Sequence, residues 1–136
     1  FKGINDKLGH PTGDRCLKSL STIARSTFRS NDILGRYGGD EFIFLLPNTS
    51  AGIATVVAER FRSNVETVSD PKFTVSVGVA TYPSDGLTPK ALIAAADHAL
   101  DQSKEKGRNK VSHFSWTKEG ASSESTAALE SDRRRT

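Results

Sequence analysis

Cysteine is nearly absent: the single Cys16 cannot build an intramolecular disulfide framework and suits a reducing compartment. No apolar run approaches the roughly 20 residues that cross a bilayer, and no signal peptide opens the sequence. A cytoplasmic domain without membrane contact of its own is therefore the expectation. No basic stripe is interleaved with aromatics, and the three histidines, His10, His98 and His113, lie in unrelated segments, which excludes a zinc-type cluster. A net charge of +3 with a pI near 9.2 fits an anionic ligand, but the excess is too small to argue for nucleic acid. There is no internal repeat. What is present is a globular composition: 136 residues with 35% apolar content read as one domain, large enough to bury a core without staples.

The most informative run is Arg36-Tyr37-Gly38-Gly39-Asp40-Glu41-Phe42. Gly38 and Gly39 accept positive φ, which a type I′ connection requires, and their bare backbone lets a ligand approach closely. Asp40 and Glu41 follow at once. Two hard oxygen ligands beside exposed N–H groups suit a divalent cation bridging nucleotide phosphates. Taken alone, the run also reads as an ordinary hairpin with its acids in water.

The rest of the chain alternates in period. Cys16, Leu17, Leu20, Ile23, Ala24 and Phe28 recur at helical spacing and predict a helix over about 13 to 29, with Thr12 as N-cap. Ile33-Leu34 leads into the hairpin, and Phe42 to Leu46 leaves it as a continuous apolar run ended by Pro47, a strand buried on both faces. Ser50 caps a second helix bearing Ile53, Val56, Val57, Phe61 and Val65; Phe73, Val75, Val77 and Val79 then alternate as a half-buried strand. Thr88-Pro89 opens a third helix that stops at Gly107, and Val111 to Phe114 makes a short final strand. Beyond Trp116, Ser, Thr, Ala, Glu and Lys prevail, so 117–136 is expected to be a disordered tail behind a domain spanning 1–116. Cys16, on an apolar helix face, reads as a small core residue.

Four motifs in order resemble the GGDEF family of diguanylate cyclases from residue 1 to about 114. They are Phe1-Lys2-Gly3-Ile4-Asn5-Asp6, Gly9-His10-Pro11-Thr12-Gly13-Asp14, the hairpin run, and Lys104-Glu105-Lys106-Gly107-Arg108-Asn109. The resemblance implies an α+β sandwich with a mixed or antiparallel sheet, palm-like as in nucleotidyl cyclases. It also implies a buried strand ahead of Phe1 that carries an acidic metal ligand. That strand is expected to be missing here, which would leave two exposed sheet edges and invite a strand from another chain.

The activity implied is condensation of two GTP molecules into cyclic di-GMP with release of two pyrophosphates, using Mg²⁺ or Mn²⁺, in a homodimer with one GTP per subunit. By the same resemblance, Asp40 and Glu41 bind metal, and Glu41 assists hydroxyl activation. Asn5 and Asp14 read the guanine edge, with Leu17 packed on the base. Lys104 and Arg108 take the β and γ phosphates together with Lys2 and the backbone near Phe1. On their residues alone, Asn5 also reads as a turn residue and Asp14 as a charge favouring a helix N-terminus. Lys104 and Arg108, four apart on one helical face, also read as cations suiting a helix C-terminus. Asp101 departs from the family, which often has an aromatic three residues before the lysine.

Arg29-Ser30-Asn31-Asp32 lies five residues before the first glycine of the hairpin, the spacing of the family's inhibitory product site. Arg60 matches the position supplied by a neighbouring domain. Cyclic di-GMP is the expected inhibitor there, although a bare Arg-x-x-Asp is usually a solvated turn. An upstream sensory or receiver domain, with membrane anchorage of the parent protein through upstream segments, completes the family expectation. Two other readings stand beside it: a non-catalytic module that binds GTP or cyclic di-GMP and dimerises, and a nucleotidyl cyclase of different specificity.

Overall fold

The computed structural model describes residues 10–38, 41–114 and 124–132, with backbone alone for 10–14, for 36–38 and for the last segment apart from Ala128. Its elements are α1 (His10–Thr27), β1 (Ile33–Gly38), β2 (Glu41–Pro47), α2 (Ala51–Val68), β3 (Thr74–Tyr82), α3 (Pro89–Glu105), β4 (Val111–His113) and β5 (Glu124–Asp132). They form a five-stranded mixed sheet of order β1-β2-β5-β3-β4, antiparallel except for the β3–β4 pair. Helices flank the sheet.

In α1, Cys16, Leu20, Ile23 and Ala24 fall on one stripe and are buried, as their helical spacing requires. The helix starts at His10, ahead of Thr12, so Thr12 is not its cap; Pro11 sits in the first turn, where a fixed φ and a missing N–H do no harm. Phe28, Phe44 and Phe61 join α1, β2 and α2 in an aromatic cluster, with Phe28 and Phe44 stacked at 4.2 Å. Truncating Phe44 or Phe61, the two buried rings, to Ala should cost about 3–5 kcal/mol. Ser50 caps α2 by accepting the Ile53 N–H at 3.3 Å, and Thr88 caps α3 by accepting that of Ala91 at 3.1 Å.

Two strands depart from the burial that their sequences predict. β2 is buried on one face only, through Phe42, Phe44 and Leu46. Ile43 and Leu45 on its other face line an open apolar groove beside the start of α3. β3 is instead buried on both faces from Val75 to Thr81. Its valines meet the α1–α2 layer, while its intervening small residues admit α3 to very close range. A Cβ on Gly78 would lie 2.2 Å from the Leu100 backbone nitrogen, so a helix axis this near the sheet needs glycine there.

The expected disordered tail is also corrected: residues 124–132 form β5, in the middle of the sheet. β2 and β3 would otherwise each present an unpaired row of N–H and C=O groups, and β5 pairs with all of β3 and, through residues 124–130, with all of β2. The low apolar content of this segment argued for disorder, but a central strand draws its bonds from backbone. Small side chains even help. Ala128 lies opposite Gly78 and is fully buried in the cluster of Leu92, Ala95, Ala96 and Leu100 under α3.

Candidate active site

β1 ends at Gly38 and β2 begins at Glu41, with a register shift between Arg36 and Gly38. Gly39 and Asp40 lie outside the described residues. Glu41 is half-buried, and it pairs in register with Glu130 of β5, which pairs in turn with Ser76 of β3. Glu41 and Ser76 are thus two strands apart on one row, about 10 Å.

That row leads directly to the Lys104–Asn109 motif. The backbone N–H of Asn109 donates to Ser76 Oγ at 3.2 Å, which fixes the loop after α3 at the hairpin's end of the sheet. The helix closes in a Schellman turn: Gly107 has φ 114°, its N–H donates to Lys104 O, and the Arg108 N–H donates to Ser103 O. Arg108 (φ 65°) and Asn109 (φ 53°) continue in the left-handed region. The expectation that Lys104 and Arg108 share a helical face is therefore corrected. Lys104 lies in the last turn, whereas Arg108 is past the helix, redirected by three successive left-handed residues.

The start of α1 reaches the same end. Ser19 Oγ accepts the Asp70 N–H at 3.2 Å, and Arg15 lies 3.8 Å from the Asp70 carboxylate, just ahead of β3. The backbone of Asp14 is placed there, and Leu17 packs partly buried against the core. Phe1, Lys2 and Asn5 lie outside the described residues. The sheet thus brings together Glu41, Lys104, Arg108 and the first half of α1. Glu41 is a hard donor that fits Mg²⁺ or Mn²⁺. No set of three His, Cys, Asp or Glu able to hold a metal occurs among the described residues.

Arg29 and Asp32 lie at the opposite end. The Asp32 side chain is 3% exposed and accepts from the Arg29 backbone N–H at 2.9 Å and from its Nη2 at 2.8 Å. Arg29 Nη2 also donates to Pro47 O and Thr49 Oγ1, at 3.0 and 2.8 Å. The pair closes the turn between α1 and β1 onto the far end of β2. Its hydrogen bond and the adjacent carboxylate raise the pKa of the guanidinium further. A cleft of about 330 Å³ opens beside it, lined among others by Ser21, Arg25, Phe28 and Leu34. Arg60 stands exposed on α2 and is not part of that lining.

A four-residue network of Arg62, Glu59, Glu66 and Asn109 was not read from sequence, with Arg62 also donating to the Glu59 carboxylate. Arg62 Nη1 donates to Asn109 Oδ1 at 2.8 Å and to Glu66 Oε1 at 3.0 Å, while Asn109 Nδ2 donates to Glu66 Oε2 at 3.1 Å. The Arg62 bond, then the Asn109 bond, holds the Glu66 carboxyl below its ordinary value. On α2 the acids at i−3 and i+4 of Arg62 look like a solvated helical ladder, and nothing local announces Asn109 as the fourth member.

An α+β domain that gathers an acidic glycine hairpin and a basic turn at one end of its sheet belongs to the palm-like class. Solved structures agree: the active GGEEF domain of a diguanylate cyclase from Vibrio cholerae has a TM-score of 0.75 at 29% identity, covering 85% of this chain and 77% of that one. The GGDEF domain of DgcB from Caulobacter crescentus, in complex with c-di-GMP, gives 0.71 at 29% identity, covering 83% and 71%. The family described as diguanylate cyclase, GGDEF domain, matches residues 1–110, and this chain belongs to it. Among curated relatives, diguanylate cyclase A of Treponema denticola is 46% identical over 117 residues, 82% of this chain and 32% of that protein. Response regulator PleD of Caulobacter vibrioides is 39% identical over 119 residues, 82% and 26%. The chain spans about a third or less of their length.

Proposed function

We propose that this domain condenses two GTP molecules into cyclic di-GMP, releasing two pyrophosphates, as a head-to-head homodimer with one GTP on each subunit. The observation that carries this is the convergence of Glu41 with the Lys104–Arg108 turn at one end of the sheet, in a chain of this family. Asn5 and Asp14 hold the guanine edge, and Leu17 packs on the base. Lys104 and Arg108 take the β and γ phosphates with Lys2 and the backbone near Phe1, which fixes the triphosphate so that the α-phosphorus faces the partner's 3′-hydroxyl. Glu41 accepts the proton of that hydroxyl, and the short Gly38-Gly39 backbone lets the phosphates approach. Mg²⁺ or Mn²⁺, held by Asp40 and Glu41, supplies charge neutralisation at the α-phosphate and leaving group.

Cyclic di-GMP binds in turn at Arg29 and Asp32, with Arg60 from a neighbouring domain, and inhibits. For this, Arg29 exchanges its bonds to Pro47 and Thr49 for the ligand. Input arrives from a sensory or receiver domain elsewhere in the protein. No described helix is long and apolar enough to cross a membrane. A second reading is nucleotide binding without turnover. Incubation of the chain with GTP and Mg²⁺, followed by mass spectrometry, separates the two. Cyclic di-GMP that disappears in Glu41→Gln supports turnover, and bound but unconverted GTP supports the second reading.

A further inference from the structure

Asn109 is held from two sides in a conformation that L-residues rarely adopt. Its backbone N–H is tied to β3 through Ser76, and its side chain lies between the opposite charges of Arg62 and Glu66 on α2. The amide has one orientation only. Its carbonyl faces the guanidinium and its amine faces the carboxylate, and a flip would set donor against donor and acceptor against acceptor. The Arg62 side chain is 15% exposed and that of Glu66 48%, so the clasp is desolvated on its Arg62 side and open to water on its Glu66 side. Asn109 directly follows Arg108, whose own φ is positive and whose N–H is bound to Ser103 O. The direction in which Arg108 leaves the backbone is thus set jointly by the end of α3 and by the clasp.

We propose that Arg62, Glu66 and Asn109 are positioning residues for nucleotide binding: through the left-handed turn they aim Arg108 at the terminal phosphates of the substrate. This rests on the reading of Arg108 as a phosphate contact. Glycine at 109 accepts the same φ without strain but has no side chain to clasp, so Asn109→Gly separates the conformation of the turn from its anchoring. Glu66→Gln keeps the shape but places an amine or a neutral oxygen where Asn109 and Arg62 both donate.

The test is binding, not turnover. Affinities for a GTP analogue with a methylene group between the α and β phosphorus atoms, and for GMP, are measured with Mg²⁺ on wild type, Arg108→Ala, Asn109→Gly, Glu66→Gln and the double variant Arg108→Ala/Glu66→Gln. Melting curves verify that each is folded. Expected is a loss of about tenfold for the triphosphate in Arg108→Ala, the worth of one charge-assisted hydrogen bond. The clasp variants should lose several-fold for the triphosphate, with GMP affinity unchanged. The double variant should bind no worse than Arg108→Ala. An Arg108→Ala protein with unaltered triphosphate affinity, or a wild type that binds neither ligand, overturns the phosphate reading and the clasp with it. If Arg108→Ala weakens binding but both folded clasp variants match wild type, or weaken GMP equally, the clasp alone is overturned.

Discussion

At the scale of single residues, Gly78 and Gly52 make a controlled contrast. A methyl at Gly78 meets the backbone of α3 at 2.2 and 2.3 Å, and neither a helix nor a central strand yields by rotamer change. Gly78→Ala should cost about 3 kcal/mol, the upper part of the range for overpacking, read as a lowered urea midpoint. Gly52, in the first turn of α2, would meet nothing within 4 Å. Gly52→Ala should therefore gain about 0.4–1 kcal/mol by restricting the unfolded chain. Equal midpoints for the two variants would refute the close packing of α3. The valine alternation of β3 was plain in the sequence, but the importance of Gly78 was not: a small residue declares a close approach only once the approaching helix is known.

Elements carry the pH dependence. The Glu66 carboxyl is held below its ordinary value of 4.5 by Arg62 and then Asn109, so its contribution to joining α2 to the loop after α3 is fully present above about pH 4.5. It is lost as pH falls through the depressed folded value. In a comparison of wild type with Glu66→Gln, the gap in melting temperature should be open at pH 7 and close in acid. A gap that widens in acid would contradict the sign. The helices themselves were legible, since apolar spacing, the Ser50 and Thr88 caps and Gly107 mark them. The direction of Arg108 was not, because counting four residues from Lys104 assumes a helix that has already ended. Nor was the clasp, because its partners stand 43 and 47 residues apart.

For the molecule as a whole, β5 decides whether there is one sheet or two. Without it the β1–β2 hairpin and the β3–β4 pair share no strand ladder, and Ala128 leaves the cluster beneath α3. A chain ending at residue 116 should lose its cooperative thermal transition and self-associate through the two bare edges, as seen by circular dichroism and gel filtration. A sharp, monomeric transition matching that of the full chain would rule this out. Composition could not reveal β5, because disorder and a central strand made of small polar residues look alike until the neighbouring edges are in place.

β2 also acts as a ruler. Glu41 stands at one end of it and Pro47, which receives Arg29, at the other, about 20 Å apart on a ladder bonded on both sides. One small molecule cannot bridge that span, and a strand so tightly paired has little slack with which to relay a local distortion. An occupant of the Arg29 end therefore has little leverage on Glu41 of its own subunit. Under the proposed inhibition it would alter which surfaces of two subunits are free to meet, so regulation from that end would be a matter of orientation between bodies rather than of strain within one.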